Sequence, residues 1–108
     1  MPYFDPFLTS FIQIYKTAEP FLWTYQLPEI KNDPEAKFTL TVDMSDIEEF
    51  ATFEDGIIQI ADLSDPSVLK GIFTVMITLA DEIEVLKYRI TIIIYEELSE
   101  KQLSDEIS

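Results

Sequence analysis

Strict alternation of apolar and polar residues is the feature that most constrains this chain. Every second residue from position 38 to 44 is apolar, and threonine or aspartate fills the positions between. Successive side chains of a β-strand point to opposite faces, so this pattern predicts a strand with one buried face. Gly71–Ala80 and Leu86–Ile94 also have an apolar residue at every second position over longer spans, although the residues between them are not all polar. We therefore expect a chain built mainly of strands.

Shorter strand candidates and turn signals fill the remainder of the chain. Asn32-Asp33-Pro34 and Asp55-Gly56 are typical turn sequences, because Asp and Asn bond their own backbone and Gly supplies positive φ. About seven strands result, with no long helices between them, which predicts an all-β, immunoglobulin/cadherin-like antiparallel β-sandwich. The period of two predicts the following buried residues: Phe38, Leu40, Val42, Phe73, Val75, Ile77, Tyr88, Ile90 and Ile92.

Length and composition indicate one domain. The chain has 108 residues, 47% of them hydrophobic, which is enough to fill a single core without a disulfide. We predict one sandwich domain over residues 1–97. Residues 98–108 are polar and acidic with sparse apolar positions, which is typical of a linker or tail.

Missing residue types and charge exclude several functions. The chain has no Cys and no His, which removes thiol nucleophiles, disulfides, the usual zinc sites and His-based triads. A net charge of −14 disfavours nucleic acid and anionic membrane surfaces as partners. The longest apolar run, Ile90–Tyr95, is strand-sized, so no membrane insertion is expected. Protein surfaces and cations remain as partners.

From Trp23 to Tyr95 the order of features resembles the dystroglycan-type cadherin-like modules and related Ig-like surface modules. An early Tyr-x-Leu-Pro segment begins at Tyr25, and a Phe-x-Asp-Gly-Ile stretch begins at Phe53. A later Gly followed by a long strand and Ala-Asp spans 71–81. The resemblance implies a β-sandwich that acts in extracellular adhesion or as a spacer within a larger chain.

Calcium is the one cofactor that the resemblance raises. The Asp-x-Asp and Asp-x-Asn-Asp-Asn motifs of cadherins are absent, and Asp81 is the residue that matches a family calcium ligand. Further carboxylates lie in several loops, which cluster at the ends of a sandwich, and calcium requires six to eight oxygen ligands. The competing interpretation is that these are solvated turn residues.

The last predicted strand breaks its own alternation. Thr91 is followed by three isoleucines and a tyrosine, so Ile93 and Tyr95 are apolar on the face that should be polar. Something apolar should cover them. A neighbouring domain or subunit, pairing at a free strand edge or face to face, is one candidate. The N-terminal segment is the other, with Tyr3, Phe4, Phe7 and Leu8.

These observations predict a non-enzymatic binding, adhesion or spacer module that acts through protein–protein or domain–domain contacts. An intracellular structural or assembly subunit is the alternative, and it is favoured by an N-terminus that lacks signal-peptide features. We expect an extracellular or cell-surface location, with the cytoplasm as the alternative. A carbohydrate-binding module is a third hypothesis, since Tyr15, Phe21, Trp23 and Tyr25 could be sugar platforms; core packing is their competing role.

Overall fold

The computed structural model describes residues 2–96, and this part of the chain is nearly all β. It confirms the all-β class. One short 3₁₀ helix, Ser45–Glu49, accompanies the strands. Residues 2–96 contain no helix that could span a bilayer. The strands are β1 Tyr3–Asp5, β2 Phe11–Tyr15, β3 Trp23–Gln26, β4 Glu29–Lys31, β5 Thr39–Asp43, β6 Thr52–Glu54, β7 Ile57–Ile60, β8 Gly71–Ala80 and β9 Val85–Tyr95.

The strands form three sheets. A four-stranded sheet has the order β2-β9-β8-β5, a three-stranded sheet has the order β3-β7-β6, and β1 pairs with β4. The two larger sheets together contribute seven strands, and their buried residues form one hydrophobic cluster, as a sandwich requires. The predicted tail at residues 98–108 lies outside the described residues.

One strand departs from the antiparallel prediction. β2 runs parallel to β9, with Phe11 opposite Thr91 and Tyr15 opposite Tyr95. Antiparallel neighbours are commonly joined by a tight turn, whereas these two strands lie at opposite ends of the chain. No hairpin therefore fixes the direction of β2. Its apolar side chains can reach the core whether the strand runs parallel or antiparallel to β9.

The β8–β9 hairpin supplies the centre of the core. Its inward positions are buried or half-buried on both strands, with Val75 opposite Ile90 and Ile77 opposite Tyr88. Of the nine residues predicted to be buried, Val75, Ile77, Ile90 and Ile92 are fully buried, and Leu40, Val42, Phe73 and Tyr88 are half-buried against the core. Phe38 was predicted wrongly. It is 39% exposed because it precedes β5 and lies beyond the strand's last paired residue.

The sequence pattern did not indicate the two-stranded ribbon. β1 follows a proline and β4 lies in a mostly polar stretch, yet the two strands pair with each other. The ring of Phe4 is buried and meets Tyr88 edge-on, with centroids 5.3 Å apart. The ribbon therefore closes one side of the core.

Candidate functional site

The last strand divides its side chains between two faces of the four-stranded sheet. Ile90, Ile92 and Ile94 point into the core, so the alternate residues of β9, including Ile93 and Tyr95, lie on the outer face. Register places Gln13 and Ile72 on either side of Ile93, and Tyr15 beside Tyr95. The structure therefore brings the two predicted contact residues onto one surface.

That surface is apolar at the end where β9 finishes. Tyr15 and Tyr95 are each 44% exposed, and their rings pack edge-to-face with centroids 5.8 Å apart. Ile72 is 72% exposed, and Ile93 beside it is half-buried. We call this surface the outer apolar patch, and it consists of Phe11, Tyr15, Ile72, Ile93 and Tyr95. A surface of this kind usually meets another apolar surface.

Three members of the patch were not predicted from the sequence to be contact residues. Phe11 and Tyr15 are the outward residues at the two ends of β2, and Ile72 is outward on β8. The signal was present in β2, where aromatic side chains fill outward positions that a one-sided strand would give to polar residues. Only the register shows that all five residues lie together.

The N-terminal segment does not cover the outer apolar patch. Phe4 lies on the opposite face of the sheet, against Tyr88, and Leu8 packs against the core. Phe7 is 95% exposed. Where Ile93 and Tyr95 lie, β9 offers no free edge, since β2 pairs with residues 91–95 on one side and β8 pairs with residues 85–94 on the other. Edge pairing at residues 91–95 is therefore excluded, and face-to-face packing remains for Ile93 and Tyr95.

Charge is unevenly distributed over the two outer faces of the sandwich. On the four-stranded sheet, the strands place three charged side chains outward: Lys87, Arg89 and Asp43, with Arg89 and Asp43 on either side of Met76. On the three-stranded sheet, Glu54 is the outward charged side chain, amid threonine, glutamine and Ile57. Although the chain as a whole is acidic, the strands of the four-stranded sheet therefore present more basic than acidic side chains on its outer face.

The aromatic group of the early chain divides between core and surface. Trp23 and Tyr25 are half-buried and pack against the core, as the core interpretation predicts. Tyr15 and Phe21 are exposed and line a depression of about 410 Å³, together with Thr17, Ala18, Glu19 and Pro20.

Asp81 stands at the start of the β8–β9 turn. Its Oδ1 accepts hydrogen bonds from the backbone N–H of Glu84 at 2.7 Å and of Ile83 at 2.8 Å. These two hydrogen bonds, that from Glu84 first, hold the pKa of the Asp81 carboxyl below its ordinary value. The carboxylate therefore closes the turn, as the turn interpretation predicts.

Nothing in the geometry gathers ligands for calcium around Asp81. Residues 2–96 contain no group of three or more acidic side chains placed to hold a metal ion. Glu35 and Glu82 line a depression of about 320 Å³ with Asp81, and Lys37 lines it too. Calcium needs six to eight oxygens, so its binding here stays a prediction without a supporting ligand set.

Two further loop carboxylates are also engaged locally. Asp62 Oδ1 accepts hydrogen bonds from the Ser64 hydroxyl at 2.7 Å and from the backbone N–H of Phe21 at 3.2 Å. Asp65 Oδ1 accepts one from the N–H of Ser67 at 2.9 Å. Hydrogen bonding lowers the pKa of Asp62, chiefly through Ser64, and of Asp65, chiefly through the Ser67 N–H. These groups stay ionised near neutrality, the reverse of what a general acid needs.

Comparison with known proteins gives a likeness of fold. No protein-family model and no curated protein matches the chain, so the resemblance to dystroglycan-type modules stays a prediction. The chain is similar in structure to a putative alpha-galactosidase from Bacteroides fragilis NCTC 9343, with a TM-score of 0.55 and 18% sequence identity. The similarity covers 87% of this chain and 17% of that one. This chain therefore has a fold that also occurs as a small part of a much longer protein.

Proposed function

We propose that this chain is a non-enzymatic binding or spacer module that meets a protein or domain partner through the outer apolar patch. The exposed Tyr15–Tyr95 pair, beside Ile72 and Ile93, carries the proposal. Aromatic rings bury a large area on contact, and they are enriched at the centres of protein interfaces. A patch of this kind on an otherwise acidic chain is best explained by a partner surface.

The rest of the described structure supports a role without catalysis. Three loop carboxylates accept hydrogen bonds from backbone N–H groups of their own loops, and hydrogen bonds lower their pKa values. They belong to Asp62, Asp65 and Asp81. Carboxyl groups that act as catalytic acids near neutral pH usually have raised pKa values instead. The similarity to a small part of a much longer chain agrees with a module role, and an extracellular or cell-surface location belongs to the same proposal.

Footprinting tests whether the patch is covered in the cell. Hydroxyl radicals oxidise exposed tyrosines, so the purified chain should be modified at Tyr15 and Tyr95 and at Tyr3, which is 52% exposed in the ribbon. In cells that produce the protein, Tyr15 and Tyr95 should be protected while Tyr3 stays reactive. Equal labelling of all three tyrosines in both settings would refute the proposed contact.

Carbohydrate binding is a second candidate, because Tyr15 and Phe21 flank an open depression and the structural neighbour is named a putative alpha-galactosidase. Sugar rings stack on exposed aromatic side chains. Titration with a panel of galactose-containing oligosaccharides would show saturable binding that Phe21→Ala abolishes. Binding that persists unchanged in that variant would exclude the depression, and absence of binding would exclude the function for this sugar class.

A further inference from the structure

The first part of β9 has no strand beside it on the side where β2 later pairs. β2 pairs with β9 from Thr91 to Tyr95, and within residues 2–96 no strand continues that pairing from Val85 to Ile90. The chain just before β2, residues 6–10, forms no strand. The unpaired stretch is roughly 20 Å long at roughly 3.3 Å per residue, which is the length of an ordinary strand. We call it the open edge of β9.

Backbone groups on the open edge point away from β8. The N–H of Thr91 donates to the carbonyl of Ser10 at 2.9 Å, so this residue faces the side of β2. Backbone direction alternates along a strand, and the pairing with β9 runs without a bulge along all of β8. The N–H and C=O groups of Val85, Lys87 and Arg89 therefore face the open side, where an added strand can bond them.

The inward side chains of β9 are also less covered along the open edge. Leu86 and Tyr88 are half-buried. Their neighbours on β8, Leu79 and Ile77, are fully buried. Where β2 flanks β9, the inward Ile92 is fully buried as well. An added strand with apolar side chains on its inner face therefore gains apolar contact beside β9.

Two basic side chains point outward on the same stretch. Lys87 and Arg89 are exposed, and neither takes part in a hydrogen bond or ion pair within residues 2–96. By contrast, Lys16, Lys31 and Lys70 all contact oxygen atoms of the described chain. Opposite charges on facing strands stabilise a sheet, so carboxylates on an added strand are the groups that suit these two bases.

Charge decides which strand the open edge accepts. Antiparallel pairing with the same edge of a second copy would set basic side chains against basic side chains, which is destabilising. A strand that alternates carboxylate and apolar side chains suits both faces, because its carboxylates reach Lys87 and Arg89. The net charge of −14 opposes an acidic partner at long range, but at physiological salt screening limits that repulsion to about 8 Å.

We propose that an extended acidic segment of a partner protein adds as a strand to the open edge of β9, with its carboxylates on Lys87 and Arg89. Main-chain hydrogen bonds supply affinity in strand addition, and the alternate side chains supply specificity. This inference goes beyond the proposed function, since none of the residues of the open edge belongs to the outer apolar patch.

Peptide titration followed by NMR tests the inference. The probe is a peptide of about seven residues with blocked termini, in which glutamate and valine alternate. The amide signals of Val85, Lys87 and Arg89 should shift, with a Kd below about 1 mM. The matching peptide of glutamine and valine should bind at least about threefold more weakly at the same salt concentration.

Two outcomes of this titration would overturn the inference. Absence of saturable shifts with the glutamate peptide would exclude strand addition by an acidic segment. Equal or tighter binding of the glutamine peptide would show that the net charge of the chain outweighs the two bases, and the partner strand would then not be acidic.

A pair of N-methylated probes shows whether the peptide binds as a strand. Alternate amides of a strand lie on opposite edges, so methylation of one alternate set blocks one edge of the peptide only. One set should abolish binding and the other should leave the affinity within about twofold, since a single edge of the added strand faces β9. Equal losses with both sets would contradict strand addition.

Substitutions locate the site. Lys87→Gln and Arg89→Gln should each weaken binding of the glutamate peptide about threefold and leave the glutamine peptide unaffected. Lys37→Gln is the matched control, since it changes the net charge equally but Lys37 precedes β5, at the other edge of the sheet. Equal losses in all three variants would refute the contact with β9. The variant Ile93→Thr, Tyr95→Thr should keep its affinity for the peptide, and a large loss there would place the peptide on the outer apolar patch instead.

Discussion

Phe4 and Tyr88 meet edge-to-face, with ring centroids 5.3 Å apart, and this contact fastens the first strand of the chain to the longest one. Phe4 is buried even though it lies between two prolines in a three-residue strand. The ribbon of β1 and β4 is therefore part of the core and is more than an extended leader to the domain.

Truncation of Phe4 should be costly. Phe4→Ala removes a buried ring and leaves a cavity against Tyr88, so we expect a loss of about 3–5 kcal/mol in the free energy of unfolding, measured by urea denaturation. Phe7→Ala is the matched control, because Phe7 is 95% exposed, and it should change stability by less than about 0.5 kcal/mol. Similar losses in the two variants would contradict the buried role of Phe4.

The turn between β6 and β7 should depend on Gly56. Asp55 and Gly56 both have positive φ, at 52° and 76°, as a two-residue hairpin turn of the primed type requires. Gly56→Ala should cost roughly 1–2 kcal/mol through backbone strain, since the added Cβ meets no atom within 4 Å. Thermal unfolding measures the loss. Asp55→Asn should be close to neutral, because Asn tolerates the same conformation, and a large loss there would point to a role for the carboxylate charge.

Asp81 should stabilise the β8–β9 hairpin because one of its oxygens accepts hydrogen bonds, and not because it is charged. Asp81→Asn keeps an acceptor for the N–H groups of Ile83 and Glu84, whereas Asp81→Ala removes it. The alanine variant should therefore melt at a lower temperature than the asparagine variant. We also expect millimolar calcium to shift the melting temperature equally in wild type and Asp81→Asn. A calcium-dependent rise that the asparagine variant loses would establish Asp81 as a ligand.

Stability at acid pH should depend on Asp62. Hydrogen bonds from Ser64 and from the Phe21 N–H lower its pKa in the folded state, so the unfolded chain binds the proton more tightly. The stabilisation is thus present above the ordinary pKa of Asp and is lost as the pH falls through the folded value. Carboxyl NMR titration should give Asp62 a pKa below that of an exposed Asp. Ser64→Ala should move the pKa upward, and an unchanged value would show that the hydroxyl is not its main cause.

Local patterns accounted for the strands that carry most of the core. β8 has the predicted bounds, Gly71–Ala80, and β9 begins at Val85, one residue before the predicted span that starts at Leu86. Period-two alternation also placed Ile93 and Tyr95 on the outer face. These successes share one cause: the side-chain direction in a strand is a property of neighbouring residues, so a sequence of nine or ten residues is enough to reveal it.

Strand partners were decided only by the tertiary structure. β2 and β9 lie near opposite ends of the described chain, and no turn links them, so their parallel pairing depends on how the core closes. The same holds for β1 and β4, whose three-residue strands have no pattern of their own. The outer apolar patch needed both kinds of information. The sequence alone determined that Ile93 and Tyr95 face outward, because alternation is local. The fold alone determined that Phe11, Tyr15 and Ile72 join them, because register between distant strands is set by shared burial of their inner faces.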